Sequence, residues 1–213
     1  MSVFTLKIIA CISMVIDHAG AHLFPEAVWM RYVGRLAFPI YAFLIAEGYR
    51  HTKDVKKYLL RLFIFALVSE IPYDLLGKDC LFNWGAQNVF FTLFSGLLML
   101  FLMDWTNSLI LKAFTFVSFM WIAEYCHFTY RYPGIYMIFA FDYFRDIPLL
   151  RDLNIIAANI RLFTAKIQVA GSLAIIPLSF YNGKRGPSWK YFFYAFYPCH
   201  LLIIYLVKKY LGF

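Results

Sequence analysis

Apolar runs recur from one end of the chain to the other, each closed by a short polar loop. Read as helices, they cover residues 6–24, 32–49, 58–76, 88–103, 108–125, 133–143 and 191–207. The first run, LKIIACISMVIDHAGAHLF, rises about 1.5 Å per residue and so nearly matches a hydrocarbon core roughly 30 Å thick. A longer stretch, 153–181, is interrupted by Arg161 and Lys166. It reads either as an amphipathic interfacial helix followed by one span or as two short spans. The pattern predicts an all-α, polytopic integral membrane helical bundle of eight or nine transmembrane helices, forming a single domain over residues 1–213. Within the third run, Glu70-Ile71-Pro72 is expected to break or kink the helix, because proline lacks the N–H that the ladder needs.

Composition sharpens this picture. Hydrophobic residues make up 62% of the chain and charged ones only 15%, against about 25% charged in soluble domains. The net charge of +8 would suggest nucleic acid in a soluble protein. Here the basic residues sit at the ends of apolar runs, as cytoplasmic loops require, and no nucleic-acid partner is expected. The strongest topological signal is the loop Arg50, His51, Lys53, Lys56, Lys57 and Arg61, opposed only by Asp54. It assigns that loop, and with it the N-terminus two spans earlier, to the cytoplasm. The segment Ala19-Gly20-Ala21 fits a cleavage site, but Asp17 and His18 interrupt its apolar region, so the first run is read as uncleaved. Sidedness of residues 182–186 stays open. One span in 153–181 leaves Lys184 and Arg185 outside; two put them inside and Lys208 and Lys209 outside. The four cysteines show no metal-site spacing.

Candidate chemistry lies inside the apolar runs. An Asp at the centre of a membrane helix costs about 2.5–3.5 kcal/mol on insertion scales, so its presence needs a reason. Asp17 and His18 are adjacent in the first run, and His22 follows one turn later. Counting from Leu6, His18 lies about 18 Å along its helix, and Glu70 and His200 reach comparable depth in theirs. Neighbours on a helix diverge by about 100°, so Asp17 and His18 need not bond each other. Asp17 is read as an anchor for a cation such as Arg35. His18 suits a general base, since imidazole titrates near neutrality; packing between helices is its plain alternative. His18 and His22 have metal-ligand spacing, but no third ligand is evident and no metal is expected. The basic loop through Arg61 could grip a cytoplasmic phosphate or simply be a cytoplasmic loop. Asn182-Gly183-Lys184-Arg185-Gly186 is either an anion site, where glycines let backbone N–H groups approach, or a plain turn.

The order of short motifs resembles the TraX family of membrane proteins. These are the IDH triplet in the first run, Gly34-Arg35-Leu36-Ala37-Phe38-Pro39, Glu47-Gly48-Tyr49, Lys57-Tyr58-Leu59-Leu60-Arg61-Leu62, residues 181–186, and Phe193-Tyr194-Ala195-Phe196-Tyr197-Pro198-Cys199-His200. They are collinear over nearly the whole chain; Tyr132-Pro133-Gly134 is less typical, and residues 146–165 carry no family signal. The family is named for a conjugative-plasmid protein that N-acetylates pilin, and is similar to wider groups of transmembrane acyltransferases. The resemblance implies a multi-pass protein of the bacterial inner membrane with acetyl-CoA, or another acyl-CoA, as cytoplasmic donor. The acceptor would be an amine or hydroxyl on a protein N-terminus, glycan or lipid. On this chain it makes His18 the catalytic candidate, with Asp17, Arg35 and His200 supporting it. Lys184 and Arg185, with Asn182 and Arg61, become the candidate contacts to CoA. Two other readings stand beside it: a proton-coupled transporter using Asp17, His18 and Glu70 as a relay, and a non-catalytic assembly factor. Paired repeats, common in transporters, are not visible.

Overall fold

The apolar runs fold as helices, in which backbone N–H and C=O groups find partners within their own segment; the run at 32–49 is divided between two of them. The computed structural model describes residues 1–212. In order, the α-helices are α1 (Val3–His22), α2 (Val28–Gly34), α3 (Ala37–His51), α4 (Val55–Lys78), α5 (Val89–Asp104), α6 (Leu109–Tyr125), α7 (Arg131–Tyr143) and α8 (Pro148–Arg161). A 3₁₀ segment (Lys166–Ala174), α9 (Ile175–Ser179) and α10 (Lys190–Leu211) complete the chain. Among the described residues, three helical stretches, fewer than the eight or nine spans expected, are long and apolar enough to cross a membrane: Val3–His22, Val28–His51 taken across the α2–α3 junction, and Lys190–Leu211. α4 runs on through Pro72 rather than breaking; proline deprives one carbonyl of its partner, and the flanking bonds hold the helix. The irregular stretch 153–181 resolves into α8, the 3₁₀ segment and α9.

Two compact units divide the chain. The first comprises Met1–Tyr41, Ile71–Phe82 and Ile155–Phe213; the second comprises Ala42–Glu70 and Asn83–Asn154.

In the first unit, α1 packs on α2 and on α10. Its N-terminal turn is closed by a segment distant in sequence. Val3 N–H donates to the Lys184 carbonyl (2.9 Å) and Phe4 N–H to the Arg185 carbonyl (3.1 Å), while Asn182 N–H donates to the Met1 carbonyl (3.0 Å). Ser2 Oγ accepts from Thr5 N–H. The first-turn donors of α1, which lack partners within the helix, are thereby satisfied. Gly186 makes this possible: its φ is +71°, and a Cβ there would stand 2.7 Å from Ser2 Oγ. Gly186→Ala should destabilise the protein by about 1–2 kcal/mol, the cost of a left-handed residue plus the displaced Ser2. Thermal unfolding in detergent measures it, and an unchanged midpoint would refute the docking of this loop on α1.

In the second unit, α5, α6 and α7 pack against one another. α5 and α7 meet at Gly96, where a Cβ would run into Ile138. Asn88 caps α5 through Phe90 N–H (2.9 Å). Its amide also donates to the Ala66 carbonyl (2.8 Å) and to the Glu70 carboxylate. Outside the apolar segments, Asp54 starts α4. Its carboxylate accepts the Lys57 backbone N–H at 2.9 Å and pairs with Lys57 Nζ at 3.1 Å, which holds the carboxyl below its ordinary value.

Candidate active site

The site assembles in the first unit around two adjacent residues of α1 that turn to different helices. Asp17 faces α2. Its carboxylate pairs with the Arg35 guanidinium and with Arg31 Nη1 at 2.9 Å, and Arg31 also donates to the Asp17 carbonyl at 2.8 Å. Asp17 is 7% exposed, so the ions shield one another from an apolar surround. The approach of α2 depends on Gly34, because a Cβ at that position would collide with the Asp17 side chain. Arg35 is held from behind as well. Gly171 of the 3₁₀ segment lies against the Arg35 carbonyl, beside a buried amide pair in which Gln168 Nε2 donates to Asn159 Oδ1 at 3.0 Å.

His18 faces α10. Its Nδ1 lies 2.7 Å from His200 Nε2, and the rings are near-parallel with centroids 5.0 Å apart. His200 Nδ1 lies 2.9 Å from the Phe196 carbonyl. A carbonyl only accepts, so Nδ1 of His200 carries the proton and its Nε2, in the neutral ring, holds a lone pair. The His18–His200 bond must then be donated by His18 Nδ1–H. That leaves the lone pair of neutral His18 on Nε2. The chain carbonyl–His200–His18 therefore fixes the tautomer and orientation of a base, as a carboxylate does behind the histidine of a hydrolase triad. Tyr197, 4% exposed, closes the pair on one side with its ring centroid 6.2 Å from that of His18.

With this geometry in view, comparison with known proteins is informative. The model of the TraX protein family matches residues 2–208, essentially the whole chain. This chain belongs to the TraX family. A relative in Dichelobacter nodosus, described as the probable fimbrial assembly protein FimC of serogroup H1, is 31% identical over 99% of this chain and 97% of its own length. An uncharacterized protein of Rickettsia prowazekii (strain Madrid E) is 27% identical over 83% of this chain and 68% of its own. No solved structure matches.

In this TraX-family chain, four of the residues singled out in the sequence come together: Asp17, His18, Arg35 and His200. Arg31 escaped sequence reading because it precedes the apolar run at 32–49; its position four residues before Arg35, on the same helical face, was the available signal. Asn182, Lys184 and Arg185 lie in the loop that closes α1. The Lys184 and Arg185 carbonyls accept from the first turn of α1, and the Lys184 N–H is taken by Asn182 Oδ1 at 3.1 Å. The side chains of Lys184 and Arg185 are exposed. Arg61 belongs to the second unit, where its guanidinium lies over the Tyr58 ring at 5.8 Å. Arg50, also of the second unit, is held by Asp142 and Asp104. Glu70 is engaged by Asn88 at the start of α5, a structural use for a carboxylate that helical depth alone had grouped with His18.

Proposed function

We propose that this protein is a polytopic inner-membrane acyltransferase, moving an acetyl or other acyl group from cytoplasmic acyl-CoA to an amine or hydroxyl acceptor. The observation that carries the proposal is the oriented pair His18–His200, whose open lone pair is on His18 Nε2. The acceptor nucleophile attacks the thioester carbonyl as His18 Nε2 takes its proton. Collapse of the tetrahedral intermediate forms the C–N or C–O bond, breaks the C–S bond, and returns that proton from His18 to the departing CoA thiolate. His200 holds the imidazolium in place. The Asp17–Arg31–Arg35 cluster keeps α1 and α2 in register and leaves excess positive charge beside a reaction that develops an oxyanion.

The same frame supports an orientation. α1 and α10 both begin at the loop 182–186, so Lys184 and Arg185 share a side with the start of α1. With α1 entering from the cytoplasm, these cations face cytoplasmic CoA phosphates, and Lys208 and Lys209 fall on the opposite side. His18 stands about 22 Å along α1 from that loop, a separation that suits a donor with a phosphorylated head and a long thioester arm. The fimbrial description of the Dichelobacter relative makes a protein N-terminus the first acceptor class to screen, before glycans and lipids.

Acetyl-CoA binding tests the proposal directly. Purified protein in detergent should be stabilised saturably, by about 2.7 kcal/mol at a hundredfold excess over Kd. Lys184→Ala/Arg185→Ala should need much more acetyl-CoA for the same shift. Folded protein that shows no shift with acetyl-CoA or with longer acyl-CoA donors would remove the acyltransferase reading.

A further inference from the structure

α10 carries a row of rings that leads to His200 and that, short of His200, no step of the reaction uses. Trp189, just before the helix, and Phe192, Phe196 and His200 along it recur at helical spacing on one face. Each touches the next. The centroid distances are 5.8 Å from Trp189 to Phe192, 5.9 Å from Phe192 to Phe196 and 5.1 Å from Phe196 to His200, where the rings stack. The contact from His200 to His18 continues the row onto α1. Exposure falls along it, from 57% at Trp189 and 47% at Phe192 to 6% at His200. Its open end is next to Lys190 and is joined to the basic loop through Phe4, whose ring meets Trp189 at 5.5 Å and whose N–H donates to the Arg185 carbonyl; no charged residue lies between Lys190 and His200. From Trp189 to His200 the helix rises about 16 Å.

We propose that this aromatic row is the track on which the thioester arm of acyl-CoA lies, with its phosphates at Lys184 and Arg185 and its thioester carbonyl at His18. The inference rests on the acyltransferase reading and adds to it the surface that recognises the donor. Charge and burial argue for this occupant. A basic patch at the exposed end takes the phosphorylated head, and flat rings take the methyl and methylene groups of an extended arm and stack on the faces of its amides. An imidazole pair at the far end, His200 buried and His18 partly so, meets the one reactive group the arm carries. A phospholipid chain on the same rings would end hydrocarbon against those imidazoles and leave their open lone pair without a partner.

The test separates head from arm. Binding of acetyl-CoA and of adenosine 3′,5′-bisphosphate, which has the phosphorylated head but no arm, is measured by calorimetry on full-length protein in detergent. Phe192→Leu/Phe196→Leu keeps bulk and hydrophobicity but removes the rings. It should weaken acetyl-CoA by about tenfold, a loss of the size expected for two aromatic contacts, and leave the bisphosphate unchanged. Lys184→Ala/Arg185→Ala should weaken both. If the leucine variant, with unaltered thermal unfolding, binds acetyl-CoA as the parent does, the row is lipid-facing surface and the track is overturned. If the leucine variant unfolds, Trp189→Leu alone must show the same selective loss, and equal binding overturns the track as well. Parent protein that binds neither ligand refutes the acyltransferase reading itself, a result distinct from failure of the track.

Discussion

His18→Ala should lose acyl transfer by about 10²–10⁴-fold, the range a positioned general base contributes, while the protein remains folded. The folded state is expected to survive because His18 makes one side-chain hydrogen bond, to His200. His200 keeps its second bond to the Phe196 carbonyl when that partner is removed. Acetyl-CoA affinity should change little, since the contacts proposed for its phosphates and arm lie elsewhere, so the loss is expected in kcat and not in KM for the donor. His200→Ala should give a smaller fall, also in kcat, because the base remains but its tautomer is no longer imposed. The measurement is turnover of radiolabelled acetyl-CoA with a competent acceptor, beside thermal unfolding of each variant. Full turnover in folded His18→Ala protein would end the mechanism whatever the acceptor.

The largest loss of stability is expected at Asp17. Asp17→Ala removes the carboxylate that pairs with the largely buried Arg35 guanidinium and with the half-buried Arg31. Breaking a buried ion pair from one side typically costs about 3–5 kcal/mol, more than the pair contributes, because the orphaned charge stays desolvated. Asp17→Asn should be nearly as damaging: it keeps the shape and one acceptor oxygen but loses the charge. Gly34→Ala should reach the same end by another route, pushing α2 away from α1 at the point where Asp17 and Arg35 meet. Thermal unfolding and the folded fraction recovered from membranes read all three. Replacing Asp17, Arg31 and Arg35 together with apolar residues should restore much of the stability, since no bare charge remains. An Asp17→Ala protein as stable as the parent would show that the cluster is solvated, and with it that this part of α1 is not buried.

Most of the helices were legible because backbone in an apolar medium has almost no alternative to a helix, and polar residues mark where a run must stop; the break at Arg35 and Leu36, inside the run at 32–49, was not. The partnership of Asp17 with Arg35 was legible for a similar reason, as an apolar run tolerates a carboxylate only with a cation nearby. Other parts were not. Counting residues along a helix gives depth but not direction around its axis, so Glu70 grouped with His18 although its carboxylate engages Asn88. The loop 182–186 offered glycines suited either to an anion nest or to a turn. Its docking on the first turn of α1, about 180 residues earlier in the chain, cannot be read from local spacing.

Sequence alone therefore determined the helical class, the membrane character, the TraX kinship and the set of ionisable residues that demand a purpose. These follow from properties each segment carries by itself: hydrophobic period, charge placement and motif order. Tertiary structure decided which of those residues meet. Adjacent positions on α1 point about 100° apart, so Asp17 belongs to α2 and His18 to α10. Only close approach at Gly34 and the Phe196 carbonyl behind His200 turned two neighbouring letters into an anchor and an oriented base.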